Sequence, residues 1–226
     1  MMLKEQRTPE ATRVIYYRSA GAGARLAPEH LPAGVIEQAD LLHVTGITAA
    51  LSDTARAALD AAIDRAVAAG VPVSFDVNHR ASLWRGRDAS EVYRSIARRS
   101  TIVFAGLDEA AMLSDGADAA ALAAGIASLG PSQVVVKLGE DGCLALVDGE
   151  VHERAAISIR PLDTVGAGDA FVAGYLAELL AGLPVAQRLT TAVRTGAFAC
   201  LGPGDWESYA RRSELGLLEA SDPVAR

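Results

Sequence analysis

From residue 40 onward, apolar runs of the β type alternate along the chain with helical spacing. LLHVTG (41–46) predicts a strand running into a glycine turn. In SDTARAALDAAIDRAVAAG (52–70), Ala55, Ala58, Leu59, Ala62, Ile63, Ala66 and Val67 recur at helical spacing, with Ser52 as N-cap and Gly70 as the stop. VPVSFDVN (71–78) reads as the next strand, followed by a helix around 88–99, strand TIVFAG (101–106) and helical stretches over 107–114 and 117–129. VVVKLG (134–139), CLALV (143–147) and a short run near 150–158 read as strands, and the wholly apolar start of the first predicts a central place in a sheet. The last third predicts a helix over 168–181 ending at Gly182, a second helix with Pro184 near its first turn, and a short tail helix. Strand–helix alternation of this kind predicts an α/β fold, with a mostly parallel sheet and helices on both faces.

The first thirty residues break the pattern. TRVIYYR (12–18) reads as an isolated strand, and SAGAGARLAPEHL (19–31) as a turn with a short helical segment. Gly21 and Gly23 fit neither G-x-x-x-x-G-K-[ST] nor G-x-G-x-x-G between a strand and a helix.

At 226 residues, one large domain over 1–226 is expected. A net charge of −7 without a basic run argues against nucleic acid as a partner. No stretch reaches the length of apolar residues that a membrane span needs, and the charged N-terminus MMLKEQRTPEATR has no secretory h-region, so a cytoplasmic protein with no membrane partner is expected. Cys143 and Cys200 lie far apart in apolar surroundings, without zinc or redox spacing, and are expected to be buried thiols.

Candidate chemistry concentrates in DTVGAGDAFVAGY (163–175), a glycine-rich turn that opens into an apolar helix. The amides of Ala167, Gly168 and Asp169 are expected to face a ligand as unpaired donors, and glycine at 166 and 168 lets backbone approach a phosphate closely. Asp169 beside such a cradle can take a proton from an incoming hydroxyl while the amides stabilise charge on a transferring phosphoryl group. The four letters GAGD alone are also compatible with a plain helix start carrying an acidic first turn.

The full string resembles the C-terminal signature of the PfkB, or ribokinase-like, carbohydrate kinases. That resemblance implies a three-layer α/β/α core with residues 12–31 as a remnant of a β lid. It implies Asp169 as catalytic base, Gly166, Ala167 and Gly168 as anion hole, and Asp163 as a contact of a monovalent cation. VVVKLGEDG (134–142) resembles the family's nucleotide-binding strand and turn, although an ordinary hairpin fits it too. Nucleotide contacts are then implied for Asn78, Lys137, Gly139, Gly142, Gly166 and Gly168. The family's N-x-x-E motif is represented by GLDE (106–109), which keeps Glu109 for magnesium through water and lacks the asparagine; a first-turn helix carboxylate is the other reading of Glu109. ATP and Mg²⁺ are the implied cofactors, with K⁺ as a further candidate.

VIYYRSAGAGARL, LLHVTGITAALSDTAR and SFDVNHRASLW together resemble the 2-keto-3-deoxygluconate kinase branch. A sugar acid needs a fixed cation for its carboxylate, and arginine meets a carboxylate in two parallel hydrogen bonds. By resemblance Tyr16, Arg18 and Arg80 contact substrate, with Asp205 of the GPGD turn as a further contact and Asp169 facing the reacting hydroxyl. His79 and Trp84 are read as spacing and packing.

The resemblance also implies that the family's usual opening segment, with its GG or GE turn, G-x-N-x-A helix start and most of the lid sheet, is missing. The chain would then correspond to the C-terminal two-thirds of the family domain, as a misassigned start or a truncation. The expected function is ATP-dependent phosphorylation of 2-keto-3-deoxygluconate to its 6-phosphate in Entner–Doudoroff sugar-acid catabolism. A fructokinase- or ribokinase-like specificity, and a non-catalytic nucleotide-binding remnant, stay open beside it. Pairing of lid strands in the family allows a homodimer or higher homo-oligomer.

Overall fold

A computed structural model describes residues 2–8, 11–16 and 21–219. The chain divides into two compact units, Met1–Lys137 with Leu144–Val151, and Leu138–Cys143 with His152–Arg226.

The first unit begins with strands β1 (Met2–Thr8) and β2 (Ala11–Tyr16), paired antiparallel from Met2 opposite Tyr16 to Thr8 opposite Ala11. The expectation of an isolated strand at 12–18 is thereby corrected. Its partner escaped notice because MLKEQRT is mostly polar and charged, with no apolar run to announce a strand.

Next come β3 (Leu42–Thr45), helix α1 (Gly46–Leu51), α2 (Asp53–Ala68) and β4 (Val73–Asp76). The expected glycine turn at the end of β3 is in fact the first residue of α1, capped by Thr45, whose Oγ1 accepts from the Ile47 amide at 3.3 Å. Gly46 sits there because a Cβ would overlap the Val77 carbonyl oxygen and crowd the Tyr93 ring. Ser52 caps α2 as its sequence position predicts: its Oγ accepts from the Ala55 amide at 3.0 Å and donates to the Ala24 carbonyl at 2.7 Å. Six of the seven apolar positions predicted for this helix are buried, and Val67 is exposed.

The unit continues with α3 (Ala81–Trp84), α4 (Ser90–Ala97), β5 (Ile102–Gly106), α5 (Leu107–Leu113), α6 (Ala119–Ala127) and β6 (Gln133–Lys137). Strands β7 (Cys143–Val147) and β8 (Glu150–Arg154) complete a six-stranded sheet of order β3-β4-β5-β6-β7-β8, in which β3 to β6 run parallel. Val134, Val135 and Val136 are fully buried with Phe75, Val103 and Phe104, so the uninterrupted valine run does mark a strand covered on both sides. The parallel register brings the carboxyl ends of β4, β5 and β6, at Asp76, Gly106 and Lys137, to one edge of the sheet.

In the second unit, α7 (Ala167–Leu180) packs on α8 (Val185–Ala199), with Pro184 as the N-cap of the latter. A 3-10 helix over Arg212–Glu219 follows and rests against α8. Cys143 and Cys200 are buried free thiols, and burial pushes the first up to about 11 and the second above its ordinary value, with Asp163 adding to the latter shift. No helix among the described residues is long and apolar enough to cross a membrane.

Candidate active site

The 163–169 turn is shaped by bonds from three directions. Asp163 Oδ1 accepts from the Val165 amide at 3.1 Å, closing the turn locally. The amides of Leu162 and Asp163 both donate to the Cys200 carbonyl, at 2.7 and 3.3 Å, so the turn starts from the end of α8. Gly166 then takes φ +85° as N-cap of α7, and a Cβ there would run into the Asp205 carbonyl oxygen. Only glycine satisfies both the left-handed backbone and that contact.

This geometry places Asp169 in the first turn of α7 with its side chain exposed, two residues after the helix begins at Ala167. It also changes the expected donor set. The Ala167 amide donates to the Thr164 carbonyl at 3.3 Å, because the left-handed Gly166 folds the chain back on itself, so that amide is engaged within the turn.

Asp205 reaches the same place from further along the chain: its carbonyl lies over Gly166, and its amide donates to Glu207 Oε2 at 2.9 Å. Tyr209, which the sequence did not single out, donates from its hydroxyl to the Gly166 carbonyl at 3.0 Å. Burial, together with the negative charges of Asp169 and Asp205, pushes the Tyr209 phenol up to about 12, so it stays a neutral donor. The tail carrying Tyr209 is anchored at Glu178, a buried carboxylate whose Oε1 accepts from Arg212 Nη1 at 2.7 Å and Thr191 Oγ1 at 2.9 Å. A cleft of about 230 Å³ lies between α7, α8 and this tail, with Ala173, Gly174, Ala177 and Leu215 among its walls.

Gly139 and Gly142 belong to the turn between β6 and β7 and take φ +61° and +106°. The Leu138 amide donates to the Gly142 carbonyl at 2.8 Å, which closes this turn.

Lys137, Asn78, Arg80 and Glu109 lie in the first unit, at or just beyond the carboxyl ends of β4 to β6. Lys137 Nζ donates to Asp76 Oδ1 at 2.8 Å, reaching past β5, and the Asp76 side chain is 3% exposed. Asp76 is a buried carboxylate at this end of the sheet that the sequence did not single out, although a carboxylate closing the strand VSFD was a usable signal. Asn78 follows at φ +38°, a left-handed position that asparagine tolerates better than most residues. Arg80 is exposed and serves as N-cap of α3.

Between Asn78 and Arg80, His79 is held at both ends. Its amide donates to Glu109 Oε1 at 2.7 Å, and its Nδ1 lies 3.0 Å from the Tyr93 hydroxyl. Glu109 Oε2 accepts from the Gly106 amide at 2.7 Å, so this carboxylate caps α5 as well as pinning the 77–80 turn. Each of its oxygens keeps a further lone pair for a water. Tyr93 is fully buried and also accepts from Trp84 Nε1 at 2.8 Å. Burial, reinforced by the nearby Glu109 charge and opposed by the Trp84 bond, pushes its phenol up to about 12. Tyr16 ends β2 opposite Met2, while Arg18 lies outside the described residues. Among the described residues, no group of three or more His, Cys, Asp and Glu side chains is arranged to hold a metal by itself.

Comparison with known proteins adds the family. The chain is 35% identical over 225 residues to 2-dehydro-3-deoxygalactonokinase of Haloferax volcanii, covering 95% of this chain and 71% of the relative. It is 32% identical over 216 residues to 2-dehydro-3-deoxygluconokinase of Thermoproteus tenax, covering 94% of this chain and 65% of that one. A crystal structure of a putative Ribokinase II from E. coli, in complex with ATP and Mg²⁺, superposes with a TM-score of 0.85 at 22% identity, over 92% of this chain and 68% of that one, which identifies the fold as ribokinase-like. Residues 2–210 match the model of the pfkB family carbohydrate kinases, and the chain belongs to that family.

Proposed function

We propose that the chain transfers the γ-phosphoryl group of ATP to the terminal hydroxyl of a 2-keto-3-deoxy sugar acid, with 2-keto-3-deoxygluconate as acceptor and its 6-phosphate as product. The observation that carries this reading is the exposed Asp169 carboxylate in the first turn of α7, beside a turn that Gly166 opens in the left-handed conformation. Names of relatives across most of the chain's length support the sugar-acid class.

In this reading Asp169 accepts the proton of the attacking hydroxyl, and the anion hole of the Gly166–Gly168 turn meets the charge that develops on the phosphoryl oxygens through the Gly168 amide, with the Ala167 amide spent on the Thr164 carbonyl. Little covalent chemistry is required of the protein, so positioning and electrostatics supply the rate. Magnesium, bound together with the nucleotide, would supply positive charge against the charge developing on the transferring group. Glu109 would reach it through water using its remaining lone pairs, and Asp163 would contribute to a monovalent cation such as K⁺. Asn78, Lys137, Gly139 and Gly142 are assigned to nucleotide. Tyr16, Arg18, Arg80 and Asp205 are assigned to the sugar acid, with the arginines meeting its carboxylate.

The Haloferax relative's name favours one second reading, the galacto-configured epimer as acceptor. A coupled assay with ATP and each acid in turn tests both: turnover of the gluco acid with higher kcat/KM supports the proposal, and preference for the galacto acid replaces it. A loss of about tenfold or more for the acid in Arg80→Ala is expected from removal of a bidentate carboxylate contact.

A further inference from the structure

The 77–80 turn carries two of the candidate side chains, yet past Val77, whose amide still bonds the Phe104 carbonyl at 3.0 Å, it has left the sheet ladder. Its shape therefore depends on other anchors. Glu109 supplies one to the His79 amide, and Tyr93 supplies the other to the His79 ring.

The second anchor has a defined polarity. An indole N–H only donates, so Trp84 occupies one acceptor position of the Tyr93 oxygen. The phenol's own hydrogen then needs an acceptor in a site closed to water, and His79 Nδ1 at 3.0 Å provides it. This assignment leaves the His79 proton on Nε2. The ring is also confined sideways, standing edge-on to Tyr93 at 5.8 Å, while Trp84 stands edge-on to the same Tyr93 ring at 5.4 Å.

We infer that His79 is a positioning residue for acceptor recognition: the Trp84–Tyr93–His79 chain of hydrogen bonds, with Glu109 on the backbone, fixes the direction in which the adjacent Arg80 leaves the turn. The inference rests on the proposed role of Arg80 toward a carboxylate-bearing acceptor. Losing the side-chain anchor frees the turn, and an arginine that must be ordered on binding binds more weakly without altering the phosphoryl-transfer step.

The test compares the full chain with Tyr93→Phe, His79→Leu and His79→Asn, measuring sugar-acid KM and kcat at saturating ATP, sugar-acid Kd by calorimetry without nucleotide, and thermal stability. Tyr93→Phe and His79→Leu are expected to raise KM and Kd for the acid about tenfold with kcat within about twofold. His79→Asn, whose side-chain oxygen stands near the Nδ1 position and accepts the phenol hydrogen, is expected to stay within about threefold of wild type. A purely structural role predicts a different pattern: kcat falling with the folded fraction, unchanged KM and Kd, and no rescue by asparagine. That pattern overturns the inference while leaving the proposed function intact. A wild-type chain that neither binds nor phosphorylates the acid removes the proposed function and the inference together.

Discussion

The Tyr209 hydroxyl donates at 3.0 Å to the carbonyl of Gly166, the residue whose left-handed backbone opens α7. The two are 43 positions apart, so the C-terminal segment holds the signature turn in place from outside. Because the phenol is pushed up to about 12, it remains a donor at any working pH. Tyr209→Phe removes this bond and keeps the ring; kcat is expected to fall about three- to tenfold, the scale of one neutral hydrogen bond. Steady-state kinetics with matched thermal melts check it. Gly166→Ala is expected to be far more severe, with activity down at least about a hundredfold, because it adds strain to a contact that backbone cannot yield.

The Asp76–Lys137 pair carries structural weight of its own. With one partner almost wholly buried, removing the other takes the lysine cation away from a buried carboxylate. Lys137→Met is expected to cost about 3 kcal/mol in ligand-free stability, lowering Tm by about 6 to 12 °C. Adding Asp76→Asn to Lys137→Met is expected to recover part of that loss. Urea unfolding of the single and double variants measures the difference.

Acid sensitivity has an identifiable source in the tail anchor. Burial tends to raise Glu178, but the Arg212 and Thr191 hydrogen bonds and the Arg212 charge outweigh it and hold the carboxyl below its ordinary value of 4.5. A depressed folded value means stability that is present above about pH 4.5 and is lost as pH falls through the lower folded value. Glu178→Gln is therefore expected to flatten the acid limb of the Tm-versus-pH curve below pH 4.5. An acid limb identical to wild type contradicts the assignment. Because Arg212 is largely exposed, added salt should narrow the difference.

Much of the fold was legible because it is written locally. Ser52 caps where a helix period begins, Gly70 stands just beyond α2, and three consecutive valines announce a strand buried on both faces. The β1 strand was not legible, since a polar hairpin arm acquires its conformation from its partner rather than from an apolar face. Glu109 shows both sides in one residue. Its bond to Gly106 follows from a three-residue spacing visible in GLDE, whereas its bond to His79 spans 30 positions and no local pattern encodes it. Tyr93 and Tyr209 were missed for that reason: each acts on a turn brought to it only by folding. The engaged Ala167 amide was missed because the i to i+3 closure depends on the left-handed Gly166, which the letters GAGD permit without requiring.

The central claim is that Asp169 is the base in phosphoryl transfer to a sugar acid. Single-turnover transfer from ATP to 2-keto-3-deoxygluconate by wild type and Asp169→Asn tests it most directly, because the change keeps shape and removes the proton acceptor. The account predicts a rate lowered by about 10² to 10⁴ with acceptor affinity nearly unchanged. Transfer by Asp169→Asn at close to the wild-type rate contradicts it.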